Sequence, residues 1–188
     1  MRDSLGKPAE SRKARAFGRP SLSLLLAASA LALGFLGVFG AQASDVYYGR
    51  VDRVIDGDTV SLLTRDYERL RVRLYGIDTP EKNQTWGPQA TKALSAILAG
   101  QEVEVVVEDV DRFSRQVGII FLDGLNVNLK MVFDGHAWVY EHYCVRWDVC
   151  QEMLKAQDQA RAAGRGLWGQ PEAVAPWDHR REHRKGRR

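Results

Sequence analysis

The chain has 188 residues and a formal charge of +3. The first 43 residues hold six Lys/Arg and two Asp/Glu, and Arg180–Arg188 hold six more basic residues against one Glu, so the body between them is acidic. A body of that sign excludes capture of polyanions by bulk positive charge; any such ligand must be attracted by local arginines and a bound cation.

In chain order, the basic lead-in Arg2, Lys7, Arg12, Lys13, Arg15 and Arg19 precedes an apolar run, Leu22–Gly40, and then Ala41-Gln42-Ala43. Basic, apolar, then small-x-small is the pattern of a secretory signal peptide over residues 1–43, cut after Ala43. The run is also long enough for an uncleaved membrane anchor, since a span needs about 20 apolar residues with a lower limit of roughly 17. Both readings place the remainder outside the cytoplasm, secreted, periplasmic or in the cell envelope. The leader takes +4 with it, so the rest of the chain has a net charge of −1. Its length fits one domain, residues 44–170. Residues 171–188 form a Pro-containing, basic tail, read as a solvated disordered end or as a loose holder of polyanions.

Val46–Ile55 and Thr59–Thr64 read as strands around the turn signal Asp56-Gly57-Asp58. Arg69–Tyr75 alternates: Leu70, Val72 and Leu74 on the face that can meet a core, Arg69, Arg71, Arg73 and Tyr75 on the other. The turn before it falls near Asp66-Tyr67-Glu68. Pro88 opens a helix that Gly100 stops, with Ala90, Leu94, Ile97 and Leu98 on one face. Gln101–Glu108 and Gln116–Leu122 are strands joined by an Asp109–Arg115 loop. Asn126–Phe133 is a short helix, and Asp148–Gly164 a longer one with Asp148 as N-cap. Three strands, helix, two strands, helix, helix suits a five-stranded barrel with peripheral helices, the OB-fold architecture, in the α+β class; the pattern alone also admits an open sheet. Cys144 and Cys150 are the only cysteines. In an exported chain an isolated close pair reads as a disulfide, against two free thiols or a metal site lacking further ligands.

The stretches that can carry chemistry are Val54–Val60 (VIDGDTV) and Arg71–Glu81 (RVRLYGIDTPE). With a hairpin turning near residue 68, positions whose numbers sum to about 136 oppose each other, which brings Asp58 and Asp78 to one end. Two close carboxylates need a counter-ion, and oxygen donors suit a hard cation such as calcium. The structural alternatives are an ordinary Asp-Gly turn and a helix cap at Asp78-Thr79-Pro80-Glu81. Beside them, Arg73 projects from its strand and Arg115 stands where a loop enters the next. A phosphodiester hydrolase needs a base for water and positive charge where phosphorus becomes five-coordinate. Glu81 is the carboxylate left for the base, and guanidinium forks match phosphate oxygens in pairs. His136 and His142 read as surface or core-edge residues, Trp138 and Trp168 as core.

From about Val46 to Trp168 the chain resembles the staphylococcal nuclease family. The matching stretches are VIDGDTV, RLYGIDTPE, DRFSRQVG, NLKMVFDGHAWV and GRGLW. The resemblance implies an OB-fold and a calcium-dependent endonuclease acting on DNA and/or RNA; no obligate protein partner is implied, and a monomer is expected. By position, it makes Asp58, Asp78 and the carbonyl of Thr79 the calcium ligands, Glu81 the general base, and Arg73 and Arg115 the arginines of the transition state. Phe113-Ser114 departs from the family's Tyr-Gly. Phe113, Tyr140 and Tyr143 are the candidates for contact with the nucleotide. A non-catalytic OB-fold module that binds nucleic acid is the alternative, and retention of all five chemical residues separates the two.

Overall fold

In the computed structural model, residues 45–186 are described; the signal-peptide reading, residues 1–43, lies outside them. Strands β1 (Val46–Val54), β2 (Thr59–Thr64) and β3 (Arg69–Leu74) form an antiparallel meander, and β5 (Glu102–Val110) and β6 (Gln116–Leu122) a further antiparallel pair. β5 pairs with β1 and β6 runs parallel to β3, which closes a five-stranded barrel. Closure removes the sheet edges. Register shifts in β1 between Val51 and Arg53 and in β5 between Val107 and Asp109 mark bulges, which bend strands around a small barrel. Two short strands, β4 (Ile77–Asp78) and β8 (Trp138–Val139), pair beside it, and β7 (Leu125–Asn126) pairs antiparallel with the end of β6.

Helices α1 (Gly87–Leu98), α2 (Val127–Phe133), α3 (Trp147–Ala162) and α4 (Pro176–Lys185) complete the domain. The core is built as alternation demands: Val60, Leu62, Val72, Leu74, Val105 and Ile120 point inward, and Leu94, Leu98, Met131 and Met153 close over them. Buried Asn128 joins the layers by polar contacts. Its amide donates to the carbonyls of Tyr75 (3.0 Å) and Gly118 (3.1 Å), and its oxygen accepts from Ile120 N (3.0 Å).

Four local expectations change. The β2–β3 register pairs Val60 with Val72 and Thr59 with Arg73, so Asp58 stands opposite Leu74, not Asp78; its carbonyl accepts from Leu74 N at 2.8 Å. The turn itself falls at Asp66-Tyr67-Glu68 as expected, with Tyr67 in the left-handed region (φ 63°), but the pairing is centred on residue 66 and not 68. Tyr75 does not join the arginines: it is buried against Ile119 and Cys150, because β3 ends at Leu74 and alternation no longer applies. Its hydroxyl accepts from Val145 N (2.8 Å) and Arg146 N (2.9 Å). The N-cap of α3 is Arg146, while Asp148 sits in the first turn and pairs with the Arg146 guanidinium at 2.9 Å. Within the tail, Pro176–Lys185 form α4, which packs back on the domain through Trp177 and Arg180.

The Cys144–Cys150 disulfide is present. Cys144 Sγ lies over Gly76, whose positive φ (72°) lets the chain reverse between β3 and β4.

Candidate active site

That reversal at Gly76 brings the two aspartates together. β4 folds back across the end of the β2–β3 hairpin, and Asp58 and Asp78 are both almost fully buried, 3 % and 1 % exposed. Asp58 Oδ2 accepts from Thr79 N (2.9 Å) and Thr79 Oγ1 (3.0 Å), tying the Asp56–Asp58 turn to the segment after β4. Arg73 rises from β3 between them. Its Nη1 meets Asp58 Oδ1 and its Nη2 meets Asp78 Oδ1 at 2.8 Å.

Electrostatics separates the two carboxyls. Burial works against the charge of Asp58, but Arg73 and the Thr79 donors outweigh it and hold the group below the usual carboxylate range. Burial prevails at Asp78 and pushes its carboxyl up, despite Arg180 and Arg73. Asp56 is raised as well, by burial and by the neighbouring charge of Asp58.

Glu81 is half-buried at the rim of the same site. Its backbone is held twice: Glu81 N donates to Gln84 Oε1 (3.1 Å), and Gln84 N to the Glu81 carbonyl (2.8 Å). Its carboxylate accepts from Arg180 Nη1 at 2.7 Å, and Arg180 Nη2 reaches Asp78 Oδ2 at 2.7 Å. Arg180 comes from α4, about 100 residues away along the chain, and the sequence reading did not single it out. The available signal was a Trp and an Arg three residues apart, Trp177 and Arg180, behind a helix-opening Pro176.

Arg115 precedes Val117, which is paired with Arg73 across the parallel β3–β6 contact. In this structure its guanidinium closes on Asp111, with Nε 2.7 Å and Nη2 2.6 Å from Oδ2. Asp111 also accepts from the backbone of Phe113 and Arg115, which keeps its carboxyl below the usual range despite partial burial. Ser114 in that turn has φ 57°, the left-handed region that glycine takes without strain.

The three candidates for nucleotide contact differ in access. Phe113 and Tyr143 are each 61 % exposed. Tyr140 is half-buried, its ring stacked on Trp177 at 4.9 Å between centroids and 8° between planes. Trp138 and Trp168 meet edge to face, with Arg161 over both. His136 accepts a hydrogen bond from Trp86 at the core edge, and His142 is exposed.

Among known proteins, the family model described as staphylococcal nuclease homologue matches residues 71–170. Protein ParB of Escherichia coli is 39% identical over 173 residues, covering 87% of this chain and 94% of its own. An uncharacterized endonuclease of Escherichia coli O157:H7 is 42% identical over 139 residues, 73% of this chain and 86% of its own. A micrococcal nuclease of Shigella flexneri is 34% identical over 168 residues, 85% and 95% of the two chains. The chain belongs to the staphylococcal nuclease family and, with it, to the enzymes that hydrolyse phosphodiesters.

Proposed function

We propose that the chain is an exported, calcium-dependent endonuclease that cleaves DNA and/or RNA as a monomer. The observation that carries this reading is the junction of Asp58, Asp78, Thr79, Arg73 and Glu81 at one end of the barrel, with a guanidinium already clasped between two buried carboxylates.

The donor set fits a hard cation. Asp58 and Asp78 offer carboxylate oxygens to a common positive charge, Thr79 adds a carbonyl, and neither histidine nor cysteine stands among them. Asp58, Asp78 and the Thr79 carbonyl would hold calcium, which supplies positive charge to a phosphate oxygen when bound. Glu81 takes the proton of the attacking water as its oxygen bonds to phosphorus. The bond to the leaving oxygen then breaks, and that oxygen departs with a proton from solvent. Arg73 and Arg115 meet the charge that gathers on the phosphorane oxygens, a role for which paired N–H donors are suited. In the structure Arg73 faces carboxylates and Arg115 faces Asp111, so both turn toward phosphate when substrate arrives. Export is supported by the leader pattern of residues 1–43 and by the disulfide.

Digestion of DNA and of RNA by the exported chain, with calcium and then with a calcium chelator, tests the reading.

A further inference from the structure

Helix α4 turns two side chains to the site that the proposed hydrolysis does not use. Trp177 and Arg180 are three residues apart and so share a helix face. Trp177 stacks on Tyr140 and meets Trp138 edge-on at 5.7 Å. Arg180 spans Asp78 and Glu81, at 2.7 Å from each. The helix starts from an anchored segment: Gln84 Nε2 donates to the Val174 carbonyl at 2.6 Å, and Ala175 and Pro176 are buried. The same Gln84 holds Glu81 N through its Oε1.

A flat ring on an aromatic platform and a cation on the carboxylates occupy the positions that a base and a metal ion require. A guanidinium and a divalent cation repel each other, so the two compete for Asp78. The competition is releasable, because the Arg180 side chain is 36% exposed and its pair with Glu81 is open to water and salt, even though Asp78 itself is buried. We infer that α4 is an intramolecular occupant of the cleft, which lifts from Tyr140, Asp78 and Glu81 before cation and nucleotide enter. This rests on the nuclease reading above and adds to it a built-in restraint.

The test uses the full exported chain as parent, Arg180→Gln and Trp177→Ala. Arg181→Gln is the control, since Arg181 pairs with Asp178 on the exposed side. Calorimetry with calcium chloride alone and amide exchange across residues 176–185 are the readouts. Arg180→Gln is expected to bind calcium roughly fivefold tighter, the scale of one partly exposed ion pair. Calcium should speed exchange in α4 of the parent, and Trp177→Ala should show fast exchange without calcium and a lower KM for single-stranded DNA. Equal or weaker calcium binding by Arg180→Gln, or α4 exchange unmoved when calcium binds, overturns the inference. So does weaker DNA binding by Arg180→Gln, which would make Arg180 a phosphate ligand. If no chain binds calcium, the nuclease reading fails and takes this inference with it. If the parent binds calcium and digests DNA while Arg180→Gln matches it throughout, only the inference falls.

Discussion

Gly87 packs directly against the carbonyl of Glu81: a β-carbon placed on Gly87 would lie 1.9 Å from that oxygen. The first turn of α1 therefore fixes the backbone of the proposed base by close approach, which only a hydrogen side chain permits. Gly87→Ala is expected to shift the Glu81 segment and lower turnover by about 10²-fold, the effect of an ångström-scale misplacement. Steady-state kinetics beside a thermal melt reads this out. Parental kinetics in a folded Gly87→Ala chain would show that the contact does not position the base.

The roles proposed for Glu81, Arg73 and Arg115 predict different losses. Glu81→Gln keeps the shape and removes the base, so turnover should fall by ~10²–10⁴-fold while nucleotide binding survives. Arg115→Ala should cost ~10³–10⁵-fold in turnover with little loss of stability, since Asp111 keeps its backbone donors. Arg73→Ala also strips two buried carboxylates of their shared partner and should destabilise the fold by about 3–5 kcal/mol. Arg73→Lys retains charge but not the fork, and is the cleaner test of chemistry. Arg71, exposed on the same strand, is the control. If Arg71→Ala is as damaging as Arg73→Lys, the site is misplaced on the barrel.

Cys144 and Cys150 stand six positions apart, closing a small loop that covers the turn at Gly76 and holds the Val145 and Arg146 amides on Tyr75. Closing a loop of that size is worth about 2 kcal/mol. Reduction should lower the melting temperature and leave turnover well below that temperature unchanged. An identical melt with and without reductant would contradict this.

His136 predicts a pH dependence of stability. Trp86 Nε1, a donor only, gives its hydrogen to His136 Nδ1 at 3.2 Å, so the ring is neutral with its proton on Nε2. Burial pushes its pKa below the ordinary 6.5, with Lys130 adding to the shift and Asp134 opposing it. The unfolded chain then binds more protons between the folded value and 6.5, so this contribution is fully present above 6.5 and lost as pH falls through the folded pKa. NMR titration of the His136 ring should give a midpoint below 6.5, and His136→Gln should flatten the melting-temperature profile in that window. A midpoint at or above 6.5 would reverse the sign.

Much of this was legible because local rules govern it. Alternation placed Val72 and Leu74 inside, and glycine and proline marked both ends of α1. Asp58, Asp78, Glu81, Arg73 and Arg115 lie in the short stretches that carry the family resemblance, whereas hairpin spacing alone set Asp78 where the structure has Leu74. What escaped depends on distance or on the end of a regular element. The register of Asp58 was misjudged because the hairpin is centred on residue 66 and not 68, and a shift of two in the centre moves every partner by four, from Asp78 to Leu74. Tyr75 follows the last residue of β3, where side-chain direction is set by packing under the disulfide. Arg180 sits in a basic run whose composition suits solvent, and its partners Asp78 and Glu81 are 102 and 99 residues away. No periodicity reaches that far.

On the function proposed, Asp58, Asp78 and Thr79 form a calcium seat that serves phosphodiester hydrolysis beside Glu81. The most direct measurement is digestion of DNA and of RNA by residues 44–188 with calcium, with a calcium chelator, and with magnesium in place of calcium. The expected result is cleavage with calcium, none with chelator, and poor substitution by magnesium, which demands a tighter octahedral shell. Undiminished cleavage in the presence of the chelator would contradict it.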